Sequence, residues 1–302
     1  MDKSLKIGDQ IEVEIGPIAN GGHFISRHNG QVVFVRHAIT GEKAIVKITS
    51  VSSKLAHGDA VEILSESTDR IKPICNYAIP GGCGGCDFQH INMSAQQKFK
   101  LEVIRDQFMR IARMEVDPEM VSVEPKNGLG WRTRFNFAIS ENGKAGLYAP
   151  KTKKVVEIDR CAIAVKEINE SSLFNEEWGG TDRVRVSVSS SNQVNISRGK
   201  MTVSGPKKIR ELVDKKLSEL NNIDAILLDP PRTGAGKSTI DKIVSKSPKR
   251  IVYISCDPAS LARDSRFLEN SGYSLDKINV IDLFPMTHHV ESVVRFVPKK
   301  KS

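Results

Sequence analysis

Apolar and polar residues alternate one by one in Ile11-Glu12-Val13-Glu14-Ile15, and short strand-like runs rich in apolar residues follow at His23 to Ser26, Val32 to Val35, Ala44 to Ile48 and Ala60 to Leu64. A period of two is that of a strand with one face buried. Gly21-Gly22, Asn29-Gly30 and Gly41-Glu42 punctuate these runs, and Asn-Gly suits a tight hairpin because both turn residues accept positive φ. Short strands joined by tight turns predict a small OB-like barrel over residues 1–65, an architecture used as an oligonucleotide platform and also for packing alone.

The period then changes. Ser94 and Gln97 have the spacing of a capping box, and Leu101, Ile104, Phe108 and Ile111 line one helical face. Alternation returns in Phe135 to Ile139, Val155 to Ile158 and Arg183 to Val188, so residues 66–200 read as a central α+β region. Across 201–302 helices and strands take turns: helix Ile209 to Leu220, strand Ile223 to Asp229, helix Ser238 to Val244, strand Arg250 to Ser255 and helix Ser260 to Leu268. Strands near Ile278 to Leu283 and Ser292 to Val297 follow. That alternation predicts a parallel, doubly wound sheet. The chain is expected to be multidomain.

With 302 residues there is room for such a division, and the formal charge of +9 favours a polyanionic partner. No apolar stretch reaches the length of a signal peptide core or a membrane span. The expectation is a cytoplasmic protein with no membrane and no obligate protein partner. Five cysteines in a reducing compartment then point to a metal site or a reactive thiol before a disulfide framework.

Four stretches carry candidate chemistry. Cys75, Cys83 and Cys86, the last two in Cys-Gly-Gly-Cys, could share a centre with Cys161. The glycines allow a tight turn and leave amides free to bond sulfur; four thiolates suit either zinc or an iron–sulfur cluster. Cys256, in Ser255-Cys256-Asp257-Pro258, falls at the carboxyl end of a buried strand and just before a helix whose terminus favours a thiolate. It reads either as a nucleophile or as an inert core thiol. Asp229, in Asp229-Pro230-Pro231-Arg232, leaves another strand by a rigid extended exit fit to line a pocket. The following Gly234-Ala235-Gly236-Lys237-Ser238 imitates a phosphate-binding loop, but Pro231 stands where the pattern needs its first glycine. Glu291 precedes the last strand, either as a surface carboxylate or within reach of Cys256. His288 and His289 have no third ligand at supportive spacing.

Together these segments resemble the RNA uracil-5-methyltransferase family over nearly the whole chain. Gly22-His23-Phe24-Ile25 and Val32-Val33-Phe34-Val35 look like a TRAM domain. Asp-Pro-Pro-Arg, Ser-Cys-Asp-Pro-Ala-Ser-Leu-Ala-Arg-Asp and Phe284-Pro285 through His288-His289-Val290-Glu291-Ser292 follow in the family's order. The resemblance implies an S-adenosylmethionine-dependent enzyme acting on RNA, ribosomal before transfer RNA. It makes Cys256 the nucleophile that adds to uracil C6, Glu291 the base that removes the C5 proton, and Asp229 part of the cofactor and base pocket. Cys75, Cys83, Cys86 and Cys161 carry over as ligands of a four-iron four-sulfur cluster, with zinc as the alternative. One departure stands out. No Gly-x-Gly follows an apolar strand between residues 165 and 225, so the Rossmann-like domain at 201–302 is expected to be truncated by loss of its cofactor-binding first half. A catalytically inactive RNA-binding protein is the alternative reading.

Overall fold

The computed structural model describes residues 4–199 and 223–300. The helix expected over Ile209 to Leu220 lies outside the described residues. The chain folds as two compact units, one of Met1–Gln96, Glu124–Met201 and Phe284–His288, the other of Gln97–Val123, Thr202–Leu283 and His289–Ser302.

The first unit opens with six strands: β1 (Gln10–Glu14), β2 (Ile18–Ala19), β3 (His23–His28), β4 (Gln31–Arg36), β5 (Lys43–Val51) and β6 (Leu55–Ser65), in the order β1-β5-β6-β4-β3-β2. The segment after β1 turns back onto β3, with Gly16 N donating to Ile25 O at 2.8 Å and Ile25 N to Pro17 O at 2.9 Å. The alternating apolar set fills the interior, and Val33, Val35, Ala44, Val46 and Ala56 are fully buried. Asn29 and Gly30 take φ of 48° and 79° at the hairpin between β3 and β4. Buried Glu42 is satisfied by a two-pronged pair from Arg70, at 2.6 and 2.7 Å, and by the amides of Ile39 and Ser67.

A second sheet in this unit holds β8 (Arg134–Ile139), β9 (Ala145–Tyr148), β10 (Val155–Glu157), β11 (Arg183–Val188) and β12 (Val194–Arg198), ordered β10-β9-β8-β11-β12 with every neighbour antiparallel. Phe135, Phe137, Val184 and Val186 point to one face and pack with Trp178 and Leu173. A short helix, α2 (Lys166–Asn169), closes that face.

Helix α1 (Met93–Gln107) leads into the second unit. Its cap is Asn92, whose side chain accepts from Ala95 N at 2.9 Å, and not the Ser94–Gln97 pair. Gln97 is drawn off to Ser122 and Asp282, so it has no reach to the helix start. Leu101, Ile104, Phe108 and Ile111 do share the packed face. Lys100 and Asp282, both almost fully buried, form an ion pair at 2.6 Å.

The second unit's sheet is β13 (Ala225–Leu228), β14 (Arg250–Ser255), β15 (Tyr273–Ile281) and β16 (Glu291–Pro298), joined by β7 (Glu119–Val121). Helices α3 (Lys237–Ser245) and α4 (Pro258–Asn270) flank β14 in sequence. The order is β13-β14-β16-β15-β7. Only β13/β14 and β15/β7 are parallel; β16 runs antiparallel to both its neighbours. The expected all-parallel sheet is therefore mixed. The short link from β15 to β16 has no crossover helix, and without one a strand returns antiparallel. Among the described residues β13 pairs with β14 alone, and Leu227 is 68% exposed on that edge.

Candidate active site

The second unit gathers its reactive side chains at one end of the sheet. Ser255 of β14 pairs with Ser292 of β16, so Cys256, the first residue beyond β14, comes out beside Glu291, the first residue of β16, which still pairs with Ile281 of β15. Leu228 of β13 pairs with Tyr253, which brings Asp229 out at the same carboxyl end. Asp257 then starts α4: its side chain accepts from Ser260 N at 2.7 Å, and Pro258 takes the first turn, where a missing amide is harmless.

Electrostatics tie four groups together. Burial pushes the Cys256 thiol up, and the Glu291 carboxylate pushes it further. Arg232 acts against both, its guanidinium favouring the anion. Glu291 is itself held above the usual carboxylate range by burial and by Asp229, with Arg232 again opposing. The helix terminus was expected to favour the thiolate. The net shift is upward instead, because desolvation and a neighbouring carboxylate outweigh it. Arg232 was quoted in sequence only as the end of Asp-Pro-Pro-Arg; nothing in its spacing shows that it returns to Cys256.

A buried network fixes the loop that carries Arg232. Asp264 of α4, wholly buried, accepts from Tyr253 Oη at 2.6 Å, Ala235 N at 2.7 Å and Gly236 N at 3.2 Å. Arg263 binds its other oxygen at 2.8 and 3.0 Å and also reaches Thr233 O. The amides of the false phosphate loop are thus already occupied by a carboxylate. Gly234, at φ 74°, has no room for a Cβ, which would come within 2.5 Å of Arg263 and Asp264. The sequence signal for Asp264 was a lone carboxylate on the apolar stripe with Leu261 and Leu268.

The other cysteines belong to the first unit. Cys75, Cys83, Cys86 and Cys161 line one small cavity with Leu147 and Ile158. Gly84 lies so close to Tyr148 O that a Cβ would sit at 2.7 Å, and its amide donates to that oxygen. Gly85 N donates to Cys83 Sγ at 3.3 Å, and Gln89 Nε2 to Cys86 Sγ at 3.6 Å. Asn169 of α2 holds the Cys161 backbone by two hydrogen bonds. Burial raises the Cys83 thiol to about 11, and burial raises Cys86 and Cys161 as well. Three such thiols ionise together only beside a compensating cation. Among the described residues, no three His, Cys, Asp or Glu side chains converge on a point fit for one metal ion. His288 is engaged by Asp87, with Nδ1 at 2.5 Å from its carboxylate.

Known proteins match this arrangement. The profile of the tRNA (uracil-5-)-methyltransferase family matches residues 149–299, half of the chain, through β14, α4 and β16. The chain belongs to the tRNA (uracil-5-)-methyltransferase family. The TRAM domain profile matches residues 4–61, the barrel strands. An "uncharacterized RNA methyltransferase" of Streptomyces avermitilis is 29% identical over an alignment of 433 residues that covers 98% of this chain and 100% of the relative. One from Thermotoga maritima is 25% identical over 438 residues, covering 95% and 98%. Among solved structures, the tRNA (uracil-54, C5)-methyltransferase of Pyrococcus abyssi, in complex with S-adenosyl-L-homocysteine, shares the fold at a TM-score of 0.61. It is 19% identical, and the match covers 94% of this methyltransferase-family chain and 99% of the archaeal one.

Proposed function

We propose that this chain carries the nucleophile half of an S-adenosylmethionine-dependent RNA uridine C5-methyltransferase site. The observation that carries the reading is the β14/β16 register, which brings Cys256 and Glu291 to one strand end, where the Arg232 charge favours the thiolate. Uracil C5 is too weak a nucleophile to react unaided. Addition of the Cys256 thiolate to C6 forms the S–C6 bond and pushes the ring electrons into an enolate, which makes C5 reactive. Once C5 has used that electron pair to bond the incoming methyl group it still carries its hydrogen; Glu291 would take this proton, the C–H pair re-forms C5=C6, and the S–C6 bond breaks to release the thiolate. Burial that raises Glu291 makes its carboxylate a stronger base than an exposed one. The target base must leave its stack to reach this strand end.

S-adenosylmethionine supplies the methyl group in this reading, as the family implies. Asp229 is the described residue positioned to meet it. The described residues do not complete that pocket: a doubly wound sheet binds its ligand where strand order reverses, and β13 there has no second neighbour among them. The alignment with the Streptomyces relative supports loss of a segment, since 433 positions exceed the 302 residues of this chain by 131. A strand–helix–strand unit takes ~30 residues, so a gap of that size accommodates the first half of the sheet. We divide the chain accordingly into a TRAM-like barrel at 1–65, a central domain at 66–200 and a truncated catalytic domain at 201–302. A cytoplasmic site of action follows from the RNA substrate.

The four-cysteine cavity is read as the site of a 4Fe-4S cluster. A single zinc would need four sulfurs within ~2.3 Å of one point, whereas these ring a cavity. Anaerobically prepared protein should be brown and Cys86→Ser colourless; a colourless preparation with stoichiometric zinc reverses the choice.

The nucleophile reading is testable without the methyl donor. Reversible addition of Cys256 lets C5 take a proton from solvent before Glu291 removes one, so tritium should leave RNA carrying 5-tritiated uridine. Both a transfer RNA and a ribosomal RNA fragment are the substrates to use, because the matched profile and the archaeal structure name tRNA whereas the motifs suggested ribosomal RNA. Release that depends on Cys256 and Glu291 supports the reading. No release above that of Cys256→Ser refutes it and favours a binding protein without catalysis.

A further inference from the structure

The outer face of the central sheet carries a strip of guanidinium groups that have no side-chain partner among the described residues. Along β11, Val184 and Val186 are buried while Arg183 and Arg185 are exposed; along β8, Phe135 and Phe137 are buried while Arg134 and Asn136 are exposed. The register sets Arg185 opposite Asn136 and Ser187 opposite Arg134. On the other side Arg185 faces Ser197, and Ser187 faces Asn195, of β12. Three arginines therefore descend diagonally across two adjacent strands, with amide and hydroxyl side chains in the spaces between them.

Two features separate this strip from an ordinary solvated surface. No Asp or Glu occurs within β8, β11 or β12, and Arg134, Arg183 and Arg185 form no ion pair among the described residues, although exposed cations elsewhere on the chain do, as in Lys166–Glu170 and Lys277–Glu119. Like charges at i and i+2 on one strand face stand roughly 6.6 Å apart, and their mutual repulsion is unrelieved from within the fold. Such a face is stabilised by a ligand bearing regularly spaced negative charge. The bases of a sugar–phosphate strand also match the Asn136, Asn195 and Ser197 side chains, which donate and accept hydrogen bonds.

We propose that this face binds the RNA backbone, with Arg134, Arg183 and Arg185 each on a phosphate and the interleaved polar side chains on sugar or base edges. The sheet's inner face is the packed core beside the cysteine cavity, so the strip is held rigid at no loss of side-chain packing when RNA binds. The proposal deepens the RNA reading above by naming a surface for that substrate.

The experiment is RNA binding by fluorescence anisotropy across a salt series, using the full chain and a transfer RNA transcript. Neutralising Z phosphate contacts changes the slope of log K against log salt by about 0.7–0.9 per contact. The triple variant Arg134→Gln/Arg183→Gln/Arg185→Gln should lower that slope by about 2–3 and weaken binding ~10-fold or more near 0.15 M salt. The matching triple lysine variant, which keeps the charge, should recover most of the slope. Circular dichroism identical to the parent chain shows that outward-facing changes left the sheet intact. A parent chain that binds RNA while the glutamine variant binds with the same affinity and slope overturns the strip. A parent chain that binds no RNA overturns the wider RNA reading itself.

Discussion

The two five-stranded sheets of this protein solve different problems. The central sheet is antiparallel throughout, built from near neighbours in the chain, and keeps its chemistry off its strands: one face is core and the other is a cationic strip. The second unit's sheet is mixed, draws in β7 from far up the chain, and places reactive groups at its strand ends. Their thiols differ in the same way. Four cysteines beside the central sheet turn inward onto a cavity, whereas Cys256 stands half-buried at a strand end with a cation and two carboxylates around it. Burial raises Cys83, Cys86 and Cys161; it raises Cys256 as well, but there the Arg232 charge works against it.

Replacing the thiols tests that contrast most severely. Cys256→Ser should abolish tritium release, a loss of about 10³-fold or more, and leave the visible absorbance of the cysteine site untouched. Cys86→Ser should remove the absorbance. If Cys86→Ser alone stopped release while Cys256→Ser retained it, the assignment of roles to the two kinds of thiol would be reversed.

The edge at β13 gives the next largest difference. With one neighbour among the described residues and Leu227 bare, its amides should exchange with deuterium about 100-fold faster than those of β4, whose Val33 and Val35 are fully buried. Equal protection in a monomer would mean that something covers this edge, and the proposed loss of the first half-sheet would be wrong.

Arg232→Gln should act more gently, slowing tritium release about tenfold at neutral pH. The sign follows from the thiol. Its pKa is already raised, and the anion attacks, so the rate climbs as pH rises toward that pKa. Removing a cation that lowers it moves the whole profile to higher pH, and the two proteins should converge at alkaline pH. A uniform loss at every pH would instead show that Arg232 only shapes the loop. The smallest effect is at the edge itself: Leu227→Lys should change unfolding free energy by no more than about 0.5 kcal/mol, yet reduce self-association seen by light scattering.

Much of this was legible because it depends on local chemistry. The short apolar-rich runs from Ile11 to Leu64, bounded by Gly and Asn-Gly turns, placed the barrel strands, since such runs bury a strand face whatever the partner strand. The thiol at Cys256 between a strand and a proline-led helix, and Asp229 after another strand, were placed for the same reason. Gly84 and Gly85 were read as a tight turn with free amides, and one of those amides does bond a sulfur.

What the sequence could not determine are relations between segments distant along it. The cap at α1 passed from Ser94 to Asn92 because Gln97 found Ser122 and Asp282, more than twenty residues away. The last strand reversed direction because no helix separates β15 from β16, a matter of topology that periodicity does not carry. Arg232 and Asp264 became the supports of the site through a carboxylate some thirty residues from the amides it binds. Alternation and capping are energies of neighbours, written into the order of residues. The ionisation of Cys256 is a sum over charges and solvent in three dimensions, and only the folded chain decides which of those stand close enough to count.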